Sequence, residues 1–545
     1  MFEIQKISMI GLLIPMTSGS VIAQPEVIAI ENMAVPGLEG EFFDSFGSPV
    51  IDDNGVVYFK ADWGAAFQDG GFMITENGST SILLREGVDV AGIPFTVGRF
   101  SDVAVSPSGL SSGVAAVTSV RGVNNRYSVL QIDNDGVSLI HYDGDAAPVG
   151  FGTAFYRSDM PLSIARDGSV GYSVHLSGTP GSSADDKALF RYNPNNESYS
   201  EIVREGDLFP SGDGMFEGSC QSSLRYFCTP LINSLGDSAF ISNGGIFVKD
   251  ESGMHTSVRY GDPAGSGSFD SLSYPKINAF GQVAFSADFL GNSSYDGVFI
   301  ESDGVLNAAP LGGFAPTTMG GFFGTFRTPI STFVQFNDRV EVSFGSQTTE
   351  QNAQGNGRVG EGLFVFDGDS VISIARKYEP APGGGIFDST YEVGSWMMND
   401  VGQILYHAYI DEDEFTNTNR KTYFLYTPGI GSEKLIATGD VIDGRTVTSI
   451  TDLDSGFAAA GALNIHGEVT LRVRLDSDFD AIVLISDQQV CLADLSGDGF
   501  LNFFDVSAFL LGFGANDSIS DFTGDGVWNF FDVSAFLLAY SAGCP

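Results

Sequence analysis

Residues 494–505 read D-L-S-G-D-G-F-L-N-F-F-D, and residues 521–532 read D-F-T-G-D-G-V-W-N-F-F-D, a repeat at an offset of 27. Both segments carry oxygen-bearing side chains at positions 1, 3, 5, 9 and 12 and a Gly at position 6. A 12-residue loop with that spacing, plus a backbone carbonyl at position 7, surrounds a calcium ion with hard oxygen ligands. The first loop offers Asp494, Ser496, Asp498, the Phe500 carbonyl, Asn502 and Asp505, turning at Gly499. The second offers Asp521, Thr523, Asp525, the Val527 carbonyl, Asn529 and Asp532, turning at Gly526. One such loop could arise by chance or serve as a metal-free acidic turn. Two at a fixed offset predict two bound calcium ions.

Each loop runs into the same segment, V-S-A-F-L-L, at 506–511 and 533–538. That predicts a short helix after each loop and none before it. A duplicated EF-hand loop–helix pair resembles a type I dockerin. Cys491 ahead of it and Gly543-Cys544-Pro545 at its end resemble the Gly-Cys-ending variant found on secreted bacterial proteins. The resemblance covers about a tenth of the chain. It implies an α-helical, calcium-binding dockerin-like module at 491–545 that docks onto a cohesin-like or other cell-surface receptor, often in polysaccharide breakdown. Two departures stand out. Position 3 is Ser496 or Thr523, where dockerins usually have Asp or Asn. Positions 10 and 11, polar recognition residues in cellulosomal dockerins, are Phe503-Phe504 and Phe530-Phe531. These pairs either form a symmetric apolar patch for a different receptor or pack a module with little else to bury.

Other chemistry-like motifs are weaker. Gly109-Leu110-Ser111-Ser112-Gly113 matches G-x-S-x-G but lacks the strand-to-helix elbow that pattern needs. Gly355–Gly360 matches G-x-G-x-x-G without a surrounding βαβ unit, and reads as a loop. Asp476, Asp478 and Asp480 alternate at a hairpin tip and read as a solvated turn. The five His (141, 175, 255, 407 and 466) are scattered and read as packed or surface residues. Arg85, Arg204, Arg259 and Arg376 recur at equivalent repeat positions, which predicts structural ion pairs rather than a ligand-binding cluster. A carboxylate pair for glycoside hydrolysis is not locatable among 68 acidic residues.

The elements behind these residues repeat. P-V-I-D-D-N-G-V-V-Y-F (49–59), P-L-I-N-S-L-G-D-S-A-F (230–240), P-K-I-N-A-F-G-Q-V-A-F (275–285) and W-M-M-N-D-V-G-Q-I-L-Y (396–406) share a turn followed by an alternating strand. The turn glycines run from Gly55 to Gly467 with a mean spacing near 59, Asp338 standing where one copy lacks Gly. Each copy continues through a second strand pair and a charged turn such as R-E-G-D (204–207). About four strands per unit, repeated radially, predict an all-β propeller. Residues 27–46 match the second half of a unit and 463–486 the first half. Together they predict an eight-bladed ring whose N-terminal strands close the last blade and leave no sheet edge. Seven blades with one divergent unit is the alternative.

Charge and composition exclude several roles. With 26 Lys and Arg against 68 Asp and Glu, the net charge is −42. That argues against a nucleic-acid binder and against attraction to anionic lipid. Residues 1–23 read as a secretory signal, with Lys6, an apolar stretch and cleavage after Ala23. No other apolar run is long enough to span a membrane. The predicted layout is signal 1–23, propeller 24–486, linker 487–490 and module 491–545, the mature protein being extracellular or attached to the cell surface. Four Cys fit that compartment. Of three possible pairings, two local disulfides, Cys220 with Cys228 and Cys491 with Cys544, are the simplest. The expected function is a non-catalytic propeller for binding or display, assembled through its calcium tail, with glycan a candidate ligand. The alternatives are a carbohydrate-active hydrolase or lyase and a structural cell-surface component.

Overall fold

A computed structural model describes residues 25–542 apart from 65–68, 124–125, 157–160, 182–184, 218–229, 265–266, 291–295, 303, 310–321, 324–333, 352–356, 390–395, 412–418, 454–460, 477, 487–492, 494, 496–500, 502, 516–519, 521 and 523–527. It divides into two compact units, one spanning Pro25–Ile485 and the other containing the chain from Ser486 onward.

The first unit is an eight-bladed β-propeller. Among the described residues its strands form eight antiparallel sheets, each dominated by a four-stranded meander from axis to rim. Blade 1 shows the plan. Phe43–Phe46 and Val50–Ile51 form a broken inner strand on Val57–Trp63, which pairs with Asp69–Glu76 and then Ser79–Arg85. Alternation along Val57–Trp63 sends Tyr58 to one side and Val57, Phe59 and Ala61 to the other. Tyr58 packs with Phe72 and Leu84 of its own blade and with Val97, Phe100 and Val114 of blade 2, while Phe59 packs with Ile28 and Ile482 of blade 8. Each blade thus buries both faces against its neighbours, which is why the repeats carry so many Phe, Val and Ile.

The ring closes by combining both ends of the propeller. In blade 8, Arg445–Ile450, Val469–Leu475 and Phe479–Ile485 are joined by Glu26–Ile30 as the rim strand, with Val27 opposite Val483 and Ala29 opposite Ile482. The expected closure is therefore present, but its boundaries need correction. Only Glu26–Ile30 completes blade 8; Phe43–Phe46 is the inner strand of blade 1. Blade 8 also starts earlier than 463, at Val441, where Val441–Ile442 pairs with the start of Arg445–Ile450. The reason is phase: sequence repeats fix the period of a ring, whereas hydrogen bonding fixes where one sheet ends.

The second unit holds two helices, α1 (Phe503–Ala515) and α2 (Phe530–Ala542). Phe509 and Phe536, equivalent across the 27-residue repeat, stack at 4.2 Å and 6° and are buried with Ala493. Phe522 sets its edge against both rings. Among the described residues, no helix is long and apolar enough to cross a membrane.

Candidate functional site

The turns between inner and second strands surround one mouth of the axis. Blades 4 to 8 lead these turns with Asn233, Asn278, Asn337, Asn399 and Asn464. Each Asn Oδ1 accepts the N–H groups two and four residues on, as in Asn399 with Val401 and Gln403. Each Nδ2 donates to the side chain four residues on, Asp237, Gln282, Glu341, Gln403 or Glu468, at 2.6–2.9 Å. It also donates to the carbonyl that leads the next turn, at 2.7–3.4 Å, ending on Asp52 of blade 1. These buried amides form a belt in which every member is satisfied. In blade 1 the Asp52 carboxylate accepts Asn54 N–H, Val56 N–H and the Tyr58 hydroxyl. Gly109 of blade 2 sits against it with φ +62°, where a Cβ would lie 1.8 Å from Asp52 Oδ2. The readable signal for this belt is the recurring Asn with an acid or amide four residues later, rather than the turn Gly.

Inside the belt, Arg166 of blade 3 pairs with Asp53 of blade 1 at 2.5 Å and Asp400 of blade 7 at 3.2 Å. Blades 3 and 7 stand opposite in a ring of eight, so this side chain bridges the axis. Burial opposes the Arg166 charge, but Asp53 and Asp400 outweigh it and hold the guanidinium above its ordinary pKa. Burial, reinforced by Asp338, raises the Asp400 carboxyl. These residues line a cavity of about 90 Å³ with Ile51, Lys276, Gln335, Met397 and Leu463. Burial pushes the Lys276 ammonium down to about 8. A cavity of this volume holds a few waters or a small ion.

A close pair of buried carboxylates lies between blades 1 and 2. A Cβ on Gly70 would meet Asp62 Oδ1 at 2.8 Å and Glu86 Cδ at 3.4 Å. Arg99 approaches Asp62 at 3.8 Å, and Ser45 donates to it. Burial raises the Glu86 carboxyl, with Asp62 adding to the effect. Glu86 accepts Phe100 N–H from blade 2 at 3.1 Å. Asp143, one blade later, accepts Tyr156 N–H from blade 3 at 2.6 Å. The same rim-turn position thus staples two successive seams, a structural task that repeats.

The remaining motifs fall into place. Ser111 donates its hydroxyl to the Ser108 carbonyl within a turn of 3₁₀ helix. Gly357–Phe366 is a strand paired with Val342–Gln351, so the glycine-rich match runs into a sheet rather than staying a loop. Asp480 is buried and held by Arg472 and Arg474, correcting the solvated-turn expectation for that residue. Arg204 pairs with Glu201 at 2.7 Å and lies over Phe151, and Arg259 pairs with Asp213 over Phe209. Both end rim strands, as expected of structural ion pairs. His141 and His407 are buried, whereas His175 and His466 are exposed.

In the helical unit, the last residue of each predicted calcium loop, Asp505 and Asp532, is fully buried. Asn529 N–H donates to Asp532 Oδ2 at 2.8 Å. Phe503, Phe504 and Phe530 are 76%, 67% and 76% exposed. The other predicted ligands, at 494, 496, 498, 500, 502, 521, 523, 525 and 527, lie outside the described residues, as do the Phe531 side chain and all four Cys.

A family model described as "Family of unknown function (DUF7453)" matches residues 24–244 and again 236–487. The chain belongs to DUF7453. The first match ends within blade 4, so each DUF7453 match takes about half of the ring. No curated protein shows significant similarity to the chain. Among solved structures, the DUF7453 chain is similar to the tricorn protease (10% identity, TM-score 0.32, covering 94% of this chain and 53% of the protease chain). It is also similar to the polysaccharide lyase Uly1 (10%, 0.36, 86% and 100%) and to the Penicillium chrysogenum α-L-arabinanase complexed with arabinobiose (8%, 0.27, 72% and 94%). The chain thus spans about half the length of the tricorn protease chain.

Proposed function

We propose that this protein is a secreted, non-catalytic propeller, displayed at the cell surface or assembled there through a dockerin-like tail that binds two calcium ions. The observation that carries the reading is the burial of Asp505 and Asp532 at the same position of two repeated ligand loops. Residues 491–545 contain seven Asp and no Lys, Arg or His. No side-chain cation of the segment can offset them, and a calcium ion in each loop would. Exposure of Phe503, Phe504 and Phe530 favours the receptor patch over the core, because Phe509, Phe522 and Phe536 already fill the interior. The leader, the disulfides and the receptor's identity as cohesin-like belong to the same proposal.

The test is calcium titration of the full mature chain by calorimetry, with envelope binding measured alongside. Two ions per chain and calcium-dependent envelope binding, lost in Phe504→Asp, are expected. No calcium uptake would refute the reading.

An enzymatic alternative rests on Asp62 and Glu86, two close carboxylates in different environments. Polysaccharide turnover abolished by both Asp62→Asn and Glu86→Gln would establish a hydrolase or lyase.

A further inference from the structure

Six inner turns hold the residue two beyond their leader in one way. Asn54, Leu235, Phe280, Arg339, Val401 and His466 each donate the backbone N–H to the leading Asp or Asn, at 2.8–3.3 Å. The turn makes no demand on the side chain there, since Asn, Arg and His occupy it in three blades. Blades 4 and 5 nevertheless present Leu235 and Phe280, 62% and 67% exposed. The two are neighbours, because Asn233 Nδ2 donates to the Asn278 carbonyl at 3.0 Å. Folding does not use this apolar arc, and a paired exposure at unconstrained positions marks an interaction surface.

Charge decides what fits beside it. Ala279 N–H donates to Asp338 Oδ1 at 2.8 Å, which sets a carboxylate against the Phe280 turn. The turns and the cavity they surround carry Asp53, Asp167, Asp338, Glu341 and Asp400 against Arg166, Arg339 and Lys276, and Arg191 pairs with Asp167 at 3.5 Å. Arg166 is engaged by Asp53 and Asp400, and Arg339 lies 3.3 Å from Glu341. Carboxylate is in excess, on a chain of net charge −42 whose field draws cations toward it. An anionic ligand is repelled. A segment alternating apolar and cationic side chains matches both halves of the mouth.

We infer that the mouth ringed by the Asn-led turns docks a basic, apolar-containing peptide segment of a partner protein, with Leu235 and Phe280 as the apolar wall and Asp338 and Asp400 as the acidic one. This goes beyond docking through the calcium tail and does not depend on it.

The test is fluorescence anisotropy on the full calcium-loaded chain with a labelled octapeptide alternating Leu and Lys. Gly–Lys and Leu–Glu octapeptides serve as controls. Salt-sensitive binding of the Leu–Lys peptide is expected, weakened roughly tenfold or more by combined Leu235→Asn and Phe280→Asn. Asp338→Asn should flatten the salt dependence. Ile430→Asn, at a fully exposed apolar residue on the outer hairpin of blade 7, should leave binding unchanged. All these side chains are exposed or half-buried, so an unchanged melting temperature certifies folding. Equal binding of the Gly–Lys peptide, or an unaffected double variant, would overturn the inference. So would cellohexaose binding that the double variant abolishes while peptide fails to bind, which would make the arc a sugar platform. Self-association lost in the double variant would instead assign the surface to a second copy of the chain.

Discussion

The propeller and the helical unit repeat for opposite reasons. Propeller repeats carry residues that hold the ring together: Asn amides for the belt, Phe and Val for the seams, Glu86 and Asp143 for the staples. The helical repeats carry the proposed calcium ligands and little core, Ala493, Phe509 and Phe536 being its fully buried apolar members among the described residues. Where repetition builds structure, the proposed interaction surface lies in what breaks the pattern, as Leu235 and Phe280 do. Where repetition builds the proposed ligand set, the pattern itself carries the proposal. One region should therefore depend on its ion and the other should not.

Chelation is the sharpest way to break that contrast. EDTA should melt α1 and α2 while leaving the propeller transition in place. Differential scanning calorimetry on the full chain should show one transition moving with calcium and one fixed, by linkage of binding to folding. Two fixed transitions would mean that the helical unit stands on its core alone.

Removing the rim strand tests the other side. Deleting residues 25–30 takes Ala29 from a fully buried position and exposes the edge of Phe479–Ile485. Loss of soluble protein or a fall of many degrees in the propeller transition is expected, with calcium binding unchanged. An equally stable deletion would show that Asn464 and its neighbours close the ring without the strand.

That strand also shows how far the sequence could be read. The eight-fold period and its split ends follow from turn spacing, because a turn needs a few residues in fixed order. Which residues of 27–46 join which blade did not follow, since Glu26–Ile30 and Phe43–Phe46 are both short strands and only pairing assigns each to its sheet. The bond from Arg166 to Asp400 spans 234 residues and leaves no local trace. The belt lay between these cases: its Asn residues were visible in five of the eight repeats, but their joining into one run of hydrogen bonds from Asn233 to Asp52 was not.

A smaller effect probes the belt. Asn399→Ala removes an acceptor for Gln403 N–H and donors to the Asn464 carbonyl and Gln403 Oε1. Orphaned buried partners cost about 1–3 kcal/mol each, so a total of about 4 kcal/mol in urea unfolding of the propeller is expected. Asn399→Asp should recover the accepted N–H bonds of Val401 and Gln403 but neither donor bond, and should fall between wild type and Asn399→Ala.

The smallest effect is expected from pH, and it too separates the regions, because residues 491–545 contain no His. His407 is buried at the blade 7–8 seam, with Lys421 and Asp452 beside it and Tyr409 and Tyr423 against its ring. Burial first, then Lys421, pushes its imidazole down to about 4, against Asp452. A base depressed in the folded state stabilises above its unfolded pKa of about 6.5 and loses that stability as pH falls through the folded value. At 1.36 kcal/mol per unit, the loss approaches about 3 kcal/mol between pH 6.5 and 4. Asp52, Glu86 and Asp400, raised by burial, act the other way, since their protonation on acidification favours the fold. The raw pH profile mixes both signs. The readout is therefore the difference between wild type and His407→Gln, whose neutral amide does not titrate. That difference should be constant above pH 7 and shift in favour of the variant below pH 6. A difference that stays flat down to pH 4 would mean that His407 takes up its proton in the folded ring without penalty.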